Sequence, residues 1–280
     1  MSHIIVNGKK LFSENPCISA FDRGLTLGHG LFETILANKG SCPLLEYHWM
    51  RLSTSCRYLG ITLPFDLSKL KDMILELLSD NQLTNIKSAV RLTVTDGIFE
   101  RGILSNGTQK PTYILTTASL PNHTNASISA TIVNTRRNEN SLTSKIKSIN
   151  YLDNILARKE AVNNGFDEAF LLNSKSYLAE GATCNIYIVK DGTVYTPPIE
   201  DGALPGIIRN IILTYLPLNG IKIKEQSIDR NFLLNSDEIF ISNALLGVKP
   251  IHKLDNKSFL PPFSVTSVVS DSLNMTFNYI

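Results

Sequence analysis

Polar and apolar positions along the chain alternate in two periods. Ile4-Ile5-Val6 and Lys10-Leu11-Phe12 flank Asn7-Gly8, which predicts a hairpin at the amino end. From His48 to Leu59 apolar residues recur at helical spacing (Trp49, Leu52, Cys56, Leu59), and Gly60 stands where a helix would be capped. Asp66 to Leu78 predicts a second helix, with Leu67, Leu70, Ile74, Leu77 and Leu78 on one stripe. Ala89 to Thr95 alternates and is β-branched, and Thr112 to Thr117 reads as a further strand. The polar, turn-rich stretch from Leu120 to Asn125 reads as a linker.

The second half opens on a strand from Ile128 to Val133. A helix is predicted from Asn150 to Asn164, ended by Gly165, with Leu152, Ile155, Leu156 and Ala161 toward one face. Asn185 to Lys190, Asp191-Gly192 and Thr193 to Thr196 form a strong hairpin signal. Leu204-Pro205-Gly206 precedes a helix from Ile207 to Leu216. A late strand runs from Glu238 to Ser242, and the end, Phe263 to Phe277, reads as a helix. The length suggests one or two domains, and the linker candidate is the place where the chain would divide.

Composition narrows the function classes. With 27 Lys+Arg against 25 Asp+Glu the net charge is +2, and 43% of the 280 residues are hydrophobic. That is globular composition, with little electrostatic reason to expect nucleic acid or an anionic membrane as partner. The four cysteines (Cys17, Cys42, Cys56, Cys184) form no C-x-x-C pair, so reduced structural thiols are expected and no metal site. The start lacks a basic segment followed by an apolar one, and no apolar run approaches the roughly 20 residues that span a bilayer. A soluble, cytoplasmic protein is the expectation.

Lys145 and Lys147 precede the predicted helix at 150. In an extended segment both would project to one face, and a lysine that loses its proton is a nucleophile toward aldehydes. The ordinary fate of such lysines is a solvated edge, and spacing alone does not choose between the two. Glu180 lies in a small-residue turn, where a carboxylate could pair with a buried cation or simply face water. Gly206 opens a helix without a Ser, Thr, Asp or Asn cap, so its first N–H groups suit either water or a phosphate. Arg51, on the first helix, fits a surface ion pair or a phosphate. His29, between Gly28 and Gly30, is a loop residue or a base. No G-x-S-x-G, P-loop or G-x-G-x-x-G after a strand occurs.

In order, Lys147-Ser-Ile-Asn-Tyr-Leu-Asp-Asn-Ile-Leu-Ala-Arg158, Gly165-Phe-Asp-Glu-Ala169, Glu180-Gly-Ala-Thr-Cys-Asn185, Thr196-Pro197 and Leu204-Pro-Gly-Ile-Ile-Arg209 resemble the class IV aminotransferase family, fold type IV of the pyridoxal-phosphate enzymes. Phe21-Asp-Arg-Gly24, Gly28-His-Gly-Leu-Phe-Glu-Thr34 and His48-Trp-Met-Arg-Leu52 extend the resemblance, which covers roughly residues 3 to 255. It implies an α/β (α+β) chain with the two-domain fold of the D-amino-acid aminotransferases (a smaller amino-terminal α/β domain over 1–119, a linker over 120–126 and a larger carboxy-terminal domain over 127–280), pyridoxal 5′-phosphate at the domain interface, a small-molecule amino substrate and a homodimer. It implies that Lys147, in the carboxy-terminal domain, attaches the cofactor and later shuttles protons. Glu180 would face the pyridine nitrogen, and Arg51 with the backbone of Ile207 and Ile208 would hold the phosphate. Tyr151 would reach the phenolate oxygen. His29 departs from the aspartate usual in the family.

Two further runs mark a subgroup. Ile241-Ser-Asn-Ala-Leu-Leu-Gly-Val-Lys-Pro-Ile251 and Arg91-Leu-Thr-Val-Thr-Asp-Gly-Ile-Phe-Glu-Arg-Gly102 resemble the 4-amino-4-deoxychorismate lyases, which release pyruvate and 4-aminobenzoate for folate biosynthesis. On this resemblance Asn243 contacts the cofactor, and Arg101 and Thr34 are candidate substrate contacts. A D-amino-acid or branched-chain aminotransferase on the same scaffold is the alternative.

Overall fold

Asn7 and Gly8 both take positive φ, which matches the twist of a two-residue hairpin, and β1 (His3–Val6) pairs antiparallel with β2 (Lys9–Phe12) around them. The computed structural model describes residues 2–15, 17–104, 110–121, 127–217 and 220–277. The chain divides into two compact units, residues 1–121 with 147–150, and residues 122–146 with 151–280. Part of the expected linker, residues 122–126, lies outside the described residues.

The first unit continues with α1 (Arg23–Leu27), β3 (Gly30–Ala37), α2 (Leu45–Leu59), α3 (Leu67–Asp80), β4 (Ser88–Thr95) and β5 (Thr112–Ser119). Its antiparallel sheet has the order β2-β1-β5-β4-β3. Asp66 caps α3 by accepting from Lys69 N at 2.8 Å, and Leu70, Met73, Ile74, Leu77 and Leu78 are the buried stripe. α3 packs on β1 and β5, and α2 on β3.

The expected division placed Lys147 in the carboxy-terminal domain. Residues 147–150 instead belong to the first unit, because they extend its sheet. Phe32 N donates to Lys147 O at 3.0 Å and Ile149 N to Gly30 O at 3.1 Å, so the segment lies along the outer edge of β3. Lys145 is exposed and ends a short helix, α4 (Leu142–Lys145), so the two lysines do not share one extended strand.

The second unit contains β6 (Ile128–Arg137), α4, α5 (Leu152–Asn163), β7 (Glu168–Asn173), β8 (Leu178–Gly181), β9 (Asn185–Lys190), β10 (Thr193–Thr196), α6 (Ile207–Tyr215), β11 (Ile223–Glu225), α7 (Arg230–Leu234), β12 (Glu238–Asn243), β13 (Gly247–Leu254), β14 (Lys257–Ser258) and α8 (Ser264–Phe277). Strand order is β11-β10-β9-β12-β13-β6-β7-β8, with β14 paired to β13. β6 is parallel to β7, as its helical crossover through α5 requires, and also to β13. α5 is held against the sheet by Ala157 and Ala161, which pack with Val133, Ala169 and Leu171. Phe170, Leu178, Ile186, Ile188, Ile239 and Ile241 belong to a separate, larger cluster. Glu238, from β12, accepts Val265 N, Thr266 N and the Thr266 hydroxyl and so caps α8.

Candidate functional site

In the first unit the β3 edge sets Lys147 beside an aromatic ring. Its Nζ lies 4.4 Å from the Phe32 centroid, and the Arg91 guanidinium lies 3.9 Å from the same centroid. Thr34 pairs with Arg91 in the β3–β4 register. Gly28 takes a positive φ, and Asn150 Nδ2 donates to its carbonyl at 3.0 Å. A Cβ on Gly28 would stand 2.3 Å from Asn150 Oδ1, so a larger residue here would be strained and would push the Asn150 side chain from its place against this loop.

One residue further along β3, Glu33 is buried and accepts from Arg51 Nε at 2.8 Å, Arg51 Nη2 at 2.6 Å and His48 Nδ1 at 2.7 Å. Burial alone would push the Glu33 carboxyl up. The Arg51 charge and the hydrogen bonds from Arg51 and His48 outweigh it and hold the group at about 2. Burial pushes the His48 imidazole below its ordinary value, against the pull of Glu33.

Both shifts make acid destabilising. His48 excludes a proton that the unfolded chain accepts below about pH 6.5. Glu33 stays charged where the unfolded carboxyl, ordinarily near 4.5, already binds a proton. The Glu33 contribution, on the order of 3 kcal/mol at neutral pH, is fully present above about 4.5 and is lost as pH falls toward 2. Urea midpoints measured from pH 7 to pH 3 should therefore drop steeply, and Glu33→Gln should remove most of the slope below pH 5. An unchanged slope in that variant would contradict this assignment.

Arg101 lies in the exposed segment after β4. Arg23, buried, fastens that segment by donating to Gly102 O at 3.1 Å and Ile103 O at 2.5 Å while pairing with Asp96 at 3.0 Å. His29 Nδ1 lies 3.4 Å from both Arg23 Nε and Asp96 Oδ2, so it joins this anchor.

In the second unit the sequence from Glu180 to Asn185 leaves β8 and turns into β9. Glu180 is buried; Arg137 pairs with its Oε1 at 3.0 Å and Leu204 N donates to its Oε2 at 2.8 Å. Arg137 also donates to Ser144 O at 3.2 Å. The turn is braced from several sides. Asn154 Nδ2 donates to Ala182 O at 2.8 Å and the Tyr151 hydroxyl to the same oxygen at 3.3 Å. The Thr183 hydroxyl donates to Glu168 at 2.8 Å, and Asn243 Nδ2 to Thr183 O at 3.3 Å. Burial and the Glu180 charge push the Tyr151 phenol up, so it remains a hydroxyl at neutral pH.

α6 begins at Ile207 with Gly206 as its N-cap and no side-chain cap. The amides of Ile207 and Ile208 belong to the first turn, where no intrahelical acceptor exists. A Cβ on Gly206 would fall 1.8 Å from Asn185 Oδ1, and Asn185 Nδ2 donates to Leu204 O at 3.0 Å. Gly206→Ala would have to expel Asn185 and is expected to cost about 1–3 kcal/mol, read as a lower urea midpoint. A midpoint equal to wild type would show that Asn185 moves freely.

The model of amino-transferase class IV matches residues 30–254. The chain belongs to the class IV aminotransferase family. A Methanocaldococcus jannaschii protein provisionally assigned as a branched-chain-amino-acid aminotransferase is 34% identical over 91% of this chain and 88% of its own. The aminodeoxychorismate lyase of Bacillus subtilis is 29% identical over 91% and 88%. The crystal structure of 4-amino-4-deoxychorismate lyase from Pseudomonas aeruginosa has a TM-score of 0.85 at 28% identity, covering 99% of this chain and all of that one.

Class IV aminotransferases use pyridoxal 5′-phosphate, and the residues present fit that group. A primary amine suits its aldehyde, a buried carboxylate suits a protonated ring nitrogen, and a glycine-capped helix start suits a phosphate. The first unit carries Lys147, Arg51, Thr34 and Arg101. The second gathers Tyr151, Glu180 and Asn243 about one turn, with Ile207 and Ile208 opening α6. Asn243 Oδ1 also accepts Leu245 N and Leu246 N, so the side chain shapes the β12–β13 turn. Sequence reasoning missed Glu33, His48 and Arg137. His48 and Arg51 stand three apart on one helix face, the spacing that could have paired them with a shared carboxylate. Among the described residues no helix is long and apolar enough to cross a membrane, and no group of His, Cys, Asp or Glu could hold a metal ion.

Proposed function

We propose that this class IV enzyme is a pyridoxal-phosphate-dependent 4-amino-4-deoxychorismate lyase, forming 4-aminobenzoate and pyruvate for folate biosynthesis, a cytoplasmic homodimer. The observation that carries the choice is the β12–β13 turn. Its Asn243-Ala-Leu-Leu-Gly-Val sequence resembles that of the lyases, and the Asn243 side chain fastens it both to itself and to the turn after Glu180. The likeness to the lyases of B. subtilis and P. aeruginosa supports the same reading.

Pyridoxal 5′-phosphate supplies, when bound, a carbonyl for the substrate amine and an electron sink. Lys147 Nζ would hold the cofactor and, once free, would serve as the base that takes the α-proton and the acid that returns one. The Glu180 carboxylate, oriented by Arg137, would keep a proton on the ring nitrogen. Arg51 and the Ile207 and Ile208 amides bind the phosphate. The Tyr151 hydroxyl, which donates to Ala182 O at 3.3 Å, would have to turn from that bond to reach the cofactor's phenolate oxygen, and Arg101 and Thr34 would take the substrate's carboxylate side.

Incubation with aminodeoxychorismate and no oxo-acid acceptor should yield 4-aminobenzoate and pyruvate in equal amounts. Absence of both from a folded, cofactor-loaded preparation removes the lyase reading. The M. jannaschii relative favours the second reading, a branched-chain or D-amino-acid aminotransferase through the same Lys147. That reading requires leucine or D-alanine to convert the cofactor to its amine form and 2-oxoglutarate to restore it.

A further inference from the structure

We propose that Glu33 is a positioning residue for cofactor phosphate, acting through Arg51 and held in place by His48. The inference rests on the reading of Arg51 as a phosphate contact. Glu33 is on β3, whereas His48 and Arg51 share one face of α2. Arg51 presents one edge of its planar fork to the carboxylate, Nε to Oε1 at 2.8 Å and Nη2 to Oε2 at 2.6 Å. Two parallel bonds fix the plane of a guanidinium, which one bond would leave free to swivel. An ionised carboxylate only accepts, so His48 Nδ1 carries the hydrogen of the 2.7 Å contact to Oε2. Glu33 and His48 are both buried, and the His48 contact is a third tie on the carboxylate beside the two from Arg51.

Charge and geometry make opposite forecasts here. The Glu33 carboxylate cancels the Arg51 charge, and burial keeps His48 neutral. Removing the Glu33 charge would therefore leave the site more positive, and a purely electrostatic view expects tighter phosphate binding. If orientation is what Glu33 supplies, the same change loosens the guanidinium and weakens binding. The structure assigns the second outcome, because both oxygens of Glu33 are committed to Arg51.

The chain has one tryptophan, Trp49, beside His48 on α2, so its quenching reports cofactor binding without any turnover. The full chain, stripped of cofactor, is titrated with pyridoxal 5′-phosphate and separately with pyridoxal. Glu33→Gln should raise Kd for the phosphorylated form about tenfold and leave pyridoxal unaffected. Arg51→Lys, which keeps the charge but loses the fork, should do the same. The double variant should bind no worse than Arg51→Lys alone, since Glu33 has nothing left to orient. Unchanged Kd in Arg51→Lys would refute the phosphate reading of Arg51 itself. Weaker binding in Arg51→Lys with equal or tighter binding in Glu33→Gln, or losses that multiply in the double variant, would overturn the role of Glu33 and leave that reading standing. Should Glu33→Gln not fold, His48→Gln carries the test: it must raise Kd for the phosphate form by severalfold without changing pyridoxal, and no change overturns the proposal.

Discussion

Lys147→Ala is expected to lower kcat by at least about 10⁴-fold while the protein stays folded. The side chain has two roles under the proposed function, covalent attachment and proton transfer, and losing proton transfer alone costs about 10²–10⁴-fold. The fold should survive because residues 147–149 join β3 through backbone groups, Lys147 O accepting from Phe32 N and Ile149 N donating to Gly30 O. The side chain also meets the Phe32 ring, a partly exposed interaction of roughly 0.5–1 kcal/mol. Lys147→Arg keeps that contact and the charge but has no amine to attach, so it should be equally inactive. Steady-state rates beside matched circular dichroism and urea midpoints decide the matter. Turnover within tenfold of wild type in either variant would mean that another residue does the chemistry.

Glu180→Gln is expected to cost about 10²–10³-fold in kcat and to destabilise the second unit as well. Under the proposed function the catalytic loss comes from replacing a carboxylate that would keep the ring nitrogen protonated with an amide of the same shape. The stability loss has a separate origin. Arg137 is largely buried and would lose the carboxylate it pairs with at 3.0 Å. Removing one partner of a buried pair costs about 3–5 kcal/mol. Glu180→Gln with Arg137→Met removes both charges and should recover much of the stability but none of the rate. Stability recovered together with rate would show that Arg137 alone made the single variant fail.

Local signals of the fold were legible where one principle dominated. The Asn7-Gly8 and Asp191-Gly192 turns fixed two hairpins, and the stripe ending at Leu78 fixed α3. The strand β3 carried no readable period, because it is buried along nearly its whole length and includes a charged residue, Glu33, at a buried position. Only the pairing with Arg51 and His48 makes a carboxylate tolerable there, and that pairing spans two elements. β6 ran past the expected end at Val133 to Arg137, and this extension places the guanidinium on Glu180.

The site was legible as a set of residue types rather than as geometry. Spacing left Lys145 and Lys147 equivalent. The resemblance singled out Lys147, and the structure separates the two by ending α4 at Lys145 and laying Lys147 along β3. The bare start of α6 was visible in Gly206-Ile207-Ile208, since no capping side chain was available. What the sequence withheld was the support around these groups, Arg137 on Glu180 and Glu33 on Arg51. Long-range ion pairs leave no local period to read.

Every role in the proposed function depends on a covalent bond between Lys147 and pyridoxal 5′-phosphate. Reduction of the cofactor-loaded protein with borohydride, followed by proteolysis and mass mapping, tests it most directly. A single phosphopyridoxyl group on the peptide containing Lys147 is expected. A label on Lys145 or any other lysine, or none in a preparation that absorbs as the bound cofactor does, would contradict it.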